Sequence, residues 1–240
     1  MTKRENHVSG APRRNFYGRI KGKSLHKAQQ RYMAEDLDDL KPTGVTWDDN
    51  PDRTQIDPTD WFGNDHDIWL EVGFGGGEHM VHQATLNPDV NIVGCEPYIN
   101  GVAMLLGKIR TAKCKNVVVH PGDARDMMDV LPPASISRAF LLYPDPWPKS
   151  RHHRRRFVTQ DHLEPLAACL KSGAIFRIAT DIEDYVRQAL EEVLANGNFE
   201  WLAQGADDWR KPWGDWISTR YELKAIRENR TPHYLTFRKI

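Results

Sequence analysis

Short apolar runs alternate with amphipathic stretches from residue 68 onward. Apolar runs bounded by Gly, Pro, Asn or Asp are typical of strands, and apolar residues three or four apart are typical of helices. This pattern predicts seven strands, at 68–73, 91–96, 117–120, 137–143, 174–179, 199–203 and 234–239. It also predicts helices at 78–86, 99–113, 159–171, 182–196 and 219–229. Strands that alternate with helices in this way indicate an α/β fold with a parallel, doubly wound sheet.

The first 67 residues lack this regular pattern and begin with a basic stretch that an acidic stretch follows. Residues 1–31 contain nine Lys or Arg and one acid, whereas residues 32–71 contain twelve acids and two basic residues. We therefore expect residues 1–67 to form a basic, flexible arm and an irregular lead-in, and residues 68–240 to form one domain. A second basic block lies at Lys149–Arg156. Both blocks suit a nucleic acid, although solvated surface segments remain the alternative.

Length and composition exclude several classes of protein. The 240 residues suit one α/β domain with appendages. The sequence has no run of 18 apolar residues and no signal pattern, so we expect a soluble, cytoplasmic protein without membrane contact. Cys95, Cys114 and Cys169 match no metal-binding spacing, and we expect no metal. Cys95 and Cys169 lie in apolar segments and are predicted to be buried thiols.

A glycine-rich loop follows the first predicted strand. A strand that runs into a turn containing Gly73 and Gly75, with Glu96 at the end of the next strand, predicts a nucleotide-type pocket. The dinucleotide fingerprint requires Gly or Ala where this chain has Glu78. The pattern that begins at Glu71, Glu-x-Gly-x-Gly-x-Gly, is instead associated with S-adenosylmethionine enzymes, whose cationic cofactor suits a carboxylate. A turn that merely links strand to helix is the structural alternative.

Acidic residues lie at the ends of five predicted strands: Glu71, Glu96, Asp123, Asp145 and Asp181. Ligands of open parallel sheets bind beyond the carboxyl ends of the strands. We therefore expect these five carboxylates to converge on one crevice. A helix cap is the alternative role for Asp123.

The run Pro-Asp-Pro-Trp holds Asp145 beside Trp147. The two prolines restrict the backbone on both sides of the carboxylate. A fixed acid next to an indole suits a planar heterocycle, because the acid accepts hydrogen bonds from the edge of the heterocycle and the indole stacks on its face. A tight turn with a buried Trp is the structural alternative.

Taken together, these motifs resemble those of the bacterial tRNA (guanine-N7)-methyltransferase family. The matching segments are Glu71–Gly77, Gly94–Pro97, Gly122–Ala124, Pro144–Lys149 with its Arg-rich continuation, Thr180–Asp181 and Thr219–Glu222. The resemblance covers nearly all of residues 68–240, and Arg14–Arg19 resembles the family's N-terminal arm. It implies a Rossmann-like class I methyltransferase domain: a seven-stranded, mostly parallel sheet with an antiparallel final strand and helices on both faces. The departure at Arg230–His233 is expected to affect only a loop.

The same resemblance implies an activity and roles for individual residues. The activity is methyl transfer from S-adenosyl-L-methionine to N7 of a guanosine in the tRNA variable loop, at position 46. Asp145 is the implied catalytic residue. The implied cofactor-binding residues are Glu71, Gly73, Gly75, Glu96, Asp123, Ala124 and Asp145, with Glu96 on the ribose hydroxyls and Asp123 and Ala124 on the adenine edge. The implied residues for the target nucleoside are Lys149, Asp181, Thr219, Arg220, Tyr221 and Glu222. The implied RNA-binding residues are Arg151, His152, His153, Arg154, Arg155 and Arg156.

Other interpretations stay open at the level of sequence. Thr219-x-x-Glu222 is also a capping box that opens the helix after it. The rival functions are an NAD-dependent oxidoreductase and a non-catalytic RNA-binding protein on a methyltransferase fold. The expected partner is tRNA, and the expected state is a monomer or weak homodimer.

Overall fold

The computed structural model describes residues 14–240, so the first thirteen residues of the predicted basic arm lie outside the described residues. Seven strands form one sheet in the order β3-β2-β1-β4-β5-β7-β6. The strands are β1 Asp67–Val72, β2 Val90–Cys95, β3 Val117–His120, β4 Ile136–Leu142, β5 Leu170–Thr180, β6 Phe199–Trp201 and β7 His233–Lys239.

The direction of pairing agrees with the predicted fold class. β1 pairs in parallel with β2 and β4, and the sheet continues in parallel to β3 on one side and β5 on the other. β7 lies between β5 and β6 and is antiparallel to both. The prediction of a mostly parallel sheet with an antiparallel final strand is confirmed.

Ten α-helices connect or flank the strands in the described part of the chain. They are α1 Lys27–Glu35, α2 Leu37–Leu40, α3 Thr59–Phe62, α4 Glu78–Leu86, α5 Ile99–Ala112, α6 Ala124–Met128, α7 Gln160–Cys169, α8 Glu183–Ala195, α9 Asp207–Arg210 and α10 Arg220–Arg227. A 3-10 helix spans Ser150–Arg155. All five helices expected from the pattern are present, with ends within two residues of prediction.

Two apolar clusters cover the two faces of the sheet. Side chains of a strand alternate between faces, so Ile68 and Leu70 of β1 join the cluster with α6, α7 and α8, whereas Trp69 joins the cluster with α4 and α5. Helices therefore lie on both faces, as predicted. This arrangement leaves the carboxyl ends of the parallel strands open at one edge.

The lead-in contains more regular structure than its sequence pattern predicts. The helix α1 falls partly within the first thirty residues, which show no clear apolar period. Its Tyr32 packs against Gly107 of α5, and Arg110 of α5 lies over the Tyr32 ring and pairs with Glu35. Contacts with α5, rather than an apolar stripe of its own, thus stabilise α1, and these contacts are not visible in the local sequence.

The tryptophans near the carboxyl end of the chain pack inside the protein. Trp209 stacks on His233, and the indole N–H of Trp213 donates a hydrogen bond of 2.8 Å to Thr236. Trp216 packs against Tyr234 at a ring distance of 5.5 Å. Cys95 and Cys169 are buried free thiols, as predicted. Over residues 14–240, no helix is long and apolar enough to cross a membrane, and no cluster of His, Cys, Asp or Glu is suited to a metal ion.

Candidate functional site

A cavity of about 1030 Å³ opens at the carboxyl ends of β1 to β4. Gly73 after β1, Glu96 after β2, Asp123 after β3 and Asp145 after β4 all line it. The topology places these residues together because the four strands are parallel neighbours in the sheet. The predicted crevice of strand-end carboxylates is present for three of the five acids.

The glycine loop lies tightly against the start of α5. Gly73 and Gly75 have φ values of +70° and +56°, which residues other than Gly rarely adopt. A Cβ atom at Gly101 would lie 2.2 Å from the carbonyl oxygen of Gly75. The backbone of the loop therefore forms one wall of the cavity, with no side chain at either glycine to fill the space.

Glu96 is held by backbone donors and is 9% exposed. Its Oε2 accepts a hydrogen bond from the Gly75 N–H at 2.8 Å, and its Oε1 accepts one from the Tyr98 N–H at 2.8 Å. Burial, together with the nearby carboxylates Asp145 and Glu71, raises the pKa of Glu96 to about 7, against the effect of these two hydrogen bonds. The carboxylate is thus fixed in position and short of positive or hydroxyl partners.

Asp123 caps α6 and also faces the cavity. Its Oδ1 accepts a hydrogen bond from the Arg125 N–H at 2.9 Å, and its Oδ2 accepts one from Arg125 Nε at 2.9 Å. Burial alone raises the pKa of this carboxyl, but the hydrogen bonds and charge of Arg125 outweigh it and lower the pKa. The capping role considered for Asp123 is therefore confirmed. Ala124 lines the same wall.

The loop after β4 presents Asp145 and Trp147 to the cavity. Trp147 has a φ of +40° and Tyr143 a φ of +50°, so the backbone on both sides of Asp145 is strained. Desolvation raises the pKa of Asp145, while the charge of Arg19 acts in the opposite direction. The acid and the indole therefore lie on one short loop whose backbone conformation is restricted.

Residues 14–22, which we call the strap, cross the mouth of the cavity. At one end Arg14 pairs with Asp126 at 3.2 Å and donates a hydrogen bond of 2.7 Å to Asp129. At the other end the Ile20 carbonyl accepts a hydrogen bond of 2.9 Å from the N–H of Ile99. Between these ends, Asn15 to Arg19 line the cavity. The strap thus forms the outer wall of the site.

Glu71 does not line the large cavity, in contrast to the prediction. It is 2% exposed, and its Oε2 lies 2.7 Å from Nδ1 of His79 on α4. The alternation of β1 explains this position, because Glu71 shares the face of Trp69, beneath α4. Its side chain borders a small neighbouring cavity that Thr219 and Tyr221 also line.

The residues predicted for the target nucleoside are spread over several environments. Tyr221 lines the large cavity, whereas Asp181 forms an ion pair with Arg230 away from it. Thr219 caps α10 by accepting a hydrogen bond of 3.2 Å from the Glu222 N–H. Arg220 pairs with Glu78 at the start of α4.

Glu222 is 2% exposed, and its predicted contact with the target nucleoside stays a prediction. Its carboxylate accepts hydrogen bonds from Trp216 Nε1 at 3.0 Å, from the Tyr143 hydroxyl at 3.3 Å and from the Tyr234 hydroxyl. Of these donors, Tyr143 lines the cavity. Glu222 therefore supports the cavity wall from behind.

The basic segment after the Pro-Asp-Pro-Trp run divides into exposed and buried side chains. Arg156 is 1% exposed and donates hydrogen bonds to Asp184 at 2.7 Å and to the Pro146 carbonyl at 2.8 Å. Arg156 is therefore held inside the protein, and its contact with RNA stays a prediction. The sequence pattern did not reveal this because Arg156 belongs to an unbroken run of basic residues.

The rest of that segment lies at the surface near the cavity. Lys149, Arg151 and Arg154 are exposed, while His152 packs edge-on against Trp147 and His153 Nε2 lies 3.2 Å from Asp184. Arg154 and Arg155 line the cavity mouth. A basic surface therefore borders the site on the side of the strained loop.

Several cavity residues were not predicted from the sequence. Tyr143 and Tyr98 follow strands, and Tyr17 and Arg19 belong to the strap. The stretch that contains Tyr17 and Arg19 was matched to the family's arm, but no local pattern assigned it to the cavity. Only the crossing of the sheet edge by the strap brings these side chains to the site.

Comparison with known proteins identifies the family of this chain. A family model described as "Putative methyltransferase" matches residues 65–235. A tRNA (guanine-N(7)-)-methyltransferase of Ruegeria sp. (strain TM1040) is 69% identical over 233 residues, which cover 97% of this chain and 91% of the relative. This chain belongs to the tRNA (guanine-N(7)-)-methyltransferase family. The family member of Paracoccus denitrificans (strain Pd 1222) is 63% identical over 228 residues, covering 95% of this chain and 96% of that protein.

Solved structures support the fold of this family member. A structure titled as an antibiotic related methyltransferase has a TM-score of 0.53 at 14% identity, covering 85% of this chain and 99% of that chain. A variant of the 16S rRNA (adenine(1408)-N(1))-methyltransferase from Catenulisporales acidiphilia has a TM-score of 0.50 at 17% identity, covering 78% of this chain and 93% of that chain. At such identities the likeness concerns the fold alone. The resemblance seen in the motifs is confirmed by the relatives.

Proposed function

We propose that this chain transfers the methyl group of S-adenosyl-L-methionine to N7 of a guanosine in tRNA, at position 46 of the variable loop. The observation that carries the proposal is the single cavity that joins Glu96 and the glycine loop to Asp145 and Trp147. The relatives at 59–69% identity, all named tRNA (guanine-N(7)-)-methyltransferase, support the same activity.

The glycine loop and Glu96 fit the sugar part of the methyl donor. Each oxygen of Glu96 accepts one backbone N–H and retains a lone pair for a further donor. Two ribose hydroxyls would supply such donors and lower the pKa of this carboxyl from its raised value. We assign the adenine to the wall formed by Asp123 and Ala124, where the cap fixes the backbone of α6.

The methyl donor supplies an electrophilic methyl group on a sulfonium sulfur when it is bound. Guanine N7 carries a lone pair and no proton, so the protein does not need a general base to create the nucleophile. Alignment of two bound reactants contributes about 7–11 kcal/mol to a lowered barrier. The rigid Pro-Asp-Pro-Trp loop is suited to that alignment.

Asp145 is the group that we assign to orienting the guanine and stabilising its growing positive charge. A fixed carboxylate accepts hydrogen bonds from the N1–H and amino edge and favours charge that develops on the purine. Trp147 provides a face for the same ring. Tyr221 also lines the cavity, and we assign it to the target nucleoside as well.

The exposed basic surface suits the tRNA backbone. We assign Lys149, Arg151 and Arg154 to phosphate contacts, with His152 and His153 as neighbours in the same segment. Thr219, Arg220 and Glu222 hold α10 and its Tyr221 in place. Asp181, through its pair with Arg230, holds the loop after α10.

Methyl transfer to tRNA tests the proposed function directly. We expect labelled methyl from S-adenosyl-L-methionine to enter a tRNA transcript that has a guanosine at position 46, and mass analysis of the nucleosides to yield 7-methylguanosine. The matched substrate, with adenosine at that position, should accept no label. Thermal stabilisation by NAD but not by S-adenosylhomocysteine, or tRNA binding without transfer, would favour the rival functions.

A further inference from the structure

Three side chains at the cavity mouth form a group, and the proposed chemistry has used only one of them, Trp147. The guanidinium carbon of Arg155 lies 4.7 Å from the ring centroid of Tyr17 and 4.9 Å from that of Trp147. The two rings are 6.2 Å apart and meet at 77°. The strap, the strained loop and the 3-10 helix each contribute one member. Two aromatic rings from separate segments therefore hold one planar cation.

The positive charge of Arg155 has few other partners. No carboxylate among residues 14–240 forms an ion pair with it, and its Nε is buried without a hydrogen-bond partner. Its neighbour Arg156, by contrast, pairs with Asp184 at 2.7 Å. The faces of Tyr17 and Trp147 are thus the main partners of the Arg155 charge. The Arg155 guanidinium can therefore leave the two rings for a stronger partner, such as a phosphate.

We propose that Tyr17 and Trp147 form a receptor for a planar, delocalised cation, and that Arg155 occupies it until the reacting guanine takes its place. The inference rests on the proposed function and assigns to these rings a role in the reaction step. On tRNA binding, Arg155 moves to a phosphate beside Arg151 and Arg154, and the purine takes its place against the two rings.

The charge balance of the reaction explains why such a receptor is useful. The N7 lone pair forms the new bond to the methyl carbon, and the electron pair of the broken carbon–sulfur bond remains on sulfur. No proton moves and no oxidant is needed. The positive charge passes from the sulfonium to the purine, which becomes a planar, delocalised cation like a guanidinium.

An aromatic face binds the methylated, cationic purine more tightly than the neutral purine. The negative face of a ring attracts a cation more strongly than a neutral base. Interactions that strengthen as the charge develops accelerate the reaction, whereas equal binding of both states does not. Trp147 packs edge-on against Tyr17 and His152, so contacts hold its ring before the substrate arrives. Tyr17 and Trp147 therefore favour the transition state over neutral guanine.

The first experiment compares Tyr17→Leu with Tyr17→Phe in single-turnover methyl transfer at saturating tRNA and S-adenosyl-L-methionine. Tyr17→Phe keeps the ring and should stay within about twofold of the wild-type rate constant. Tyr17→Leu removes the ring face and should lower the rate constant about fivefold to thirtyfold. Equal rate constants for the two variants would overturn the proposal. Tyr17 lies in the strap, so this pair does not disturb the core.

The second experiment measures binding of guanosine and of 7-methylguanosine by calorimetry, with the protein saturated with S-adenosylhomocysteine. The wild type should bind the cationic 7-methylguanosine more tightly, and Tyr17→Leu and Trp147→Leu should lose this preference. Arg155→Met empties the receptor, so it should bind 7-methylguanosine more tightly while its affinity for tRNA falls. Equal binding of the two nucleosides by Arg155→Met would refute the preference of the rings for a cation, and weaker binding of 7-methylguanosine by Arg155→Met than by the wild type would refute the role of Arg155 as occupant.

Failure of the receptor and failure of the proposed function give different results. If the wild type forms no 7-methylguanosine in tRNA, the proposed function is wrong. If it does form 7-methylguanosine and Tyr17→Leu reacts as fast as Tyr17→Phe, only the receptor is wrong. Thermal melting of each variant identifies any loss of folding, and if Trp147→Leu does not fold, the Tyr17 pair decides alone.

Discussion

Asp145 and Glu96 share the cavity but differ in how they are held. Glu96 is fixed by two backbone N–H groups and is almost fully buried, whereas Asp145 is exposed and has no hydrogen-bond donor among the described residues. A carboxylate with free lone pairs on a fixed backbone is suited to an incoming donor edge. The two acids are therefore suited to different ligands, a sugar at Glu96 and a base at Asp145.

Substitution of Asp145 by Asn tests that division. Asn keeps the shape but not the charge, so Asp145→Asn should lower the turnover of tRNA methylation by about 100-fold to 1000-fold. The affinity for S-adenosylhomocysteine, measured by calorimetry, should stay within about threefold of wild type because Glu96 is unchanged. Asp161→Asn removes an equal charge from the same cavity and serves as the control. Turnover as high as wild type in Asp145→Asn contradicts the assignment.

Arg156 has a structural role that can be separated from RNA binding. Its guanidinium joins the strained loop, through the Pro146 carbonyl, to Asp184 and Gln188 of α8. Arg156→Ala should lower the free energy of unfolding by about 2–4 kcal/mol, since it removes buried hydrogen bonds and packing on Tyr185. Urea denaturation measures this change. Arg154→Ala, at an exposed position, should change it by less than about 0.5 kcal/mol, and equal losses in both variants would refute the distinction.

At the level of the elements, the basic segment and α10 are separate parts of the fold that both contribute residues to the cavity. Each phosphate contact contributes about 0.9 to the slope of log affinity against log salt on duplex nucleic acid. Arg151 and Arg154 are exposed beside the cavity, and Lys224 and Arg227 are exposed on α10. The two pairs carry equal charge and therefore form matched variants.

Changing Arg151 and Arg154 together to Ala should reduce the salt slope of tRNA binding by about two units. The measurement is a series of binding isotherms between low and physiological salt. Lys224→Ala with Arg227→Ala should reduce the slope by less if tRNA lies across the basic segment. A larger reduction for the α10 pair would place the RNA along α10 instead.

The elements were predicted more fully than the contacts between them. Glycines, alternation and helical periods are local, so all seven strands and five helices could be predicted from the sequence. Helix α1 could not, because its stability comes from α5, more than sixty residues away. The site residues divide in the same way. Glu96 and Asp145 could be predicted because they lie in the loops just after strands. The positions of Glu71 and Arg156 depend on which neighbour covers each side chain, which the motifs do not record.

At the scale of the whole molecule, the cavity affects stability as a function of pH. Burial raises the pKa of Glu96 to about 7, above its value of about 4.3 in an unfolded chain. Between these values the folded protein keeps a proton that the unfolded chain has lost. Stability therefore falls as pH rises through this window, because unfolding releases the proton.

The substitution Glu96→Gln tests this dependence. Gln cannot ionise, so the fall in the free energy of unfolding between about pH 5 and pH 7 should be smaller in Glu96→Gln than in wild type. Urea denaturation at a series of pH values measures the difference. Gln also weakens the hold on ribose hydroxyls, so binding of S-adenosylhomocysteine should be reduced at pH 8. Identical pH profiles for the two proteins would show that Glu96 is ionised throughout.

The position of β7 affects how the sheet is completed during synthesis. β6 precedes β7 in the chain but joins the sheet only through it, because β7 pairs with both β5 and β6. In a nascent chain that stops before residue 233, the edge of β5 has no partner strand. Its unpaired main-chain N–H and C=O groups then promote aggregation. A ribosome that stalls over the last few codons would therefore release a product for proteases to clear, even though its ligand-binding residues had all been made.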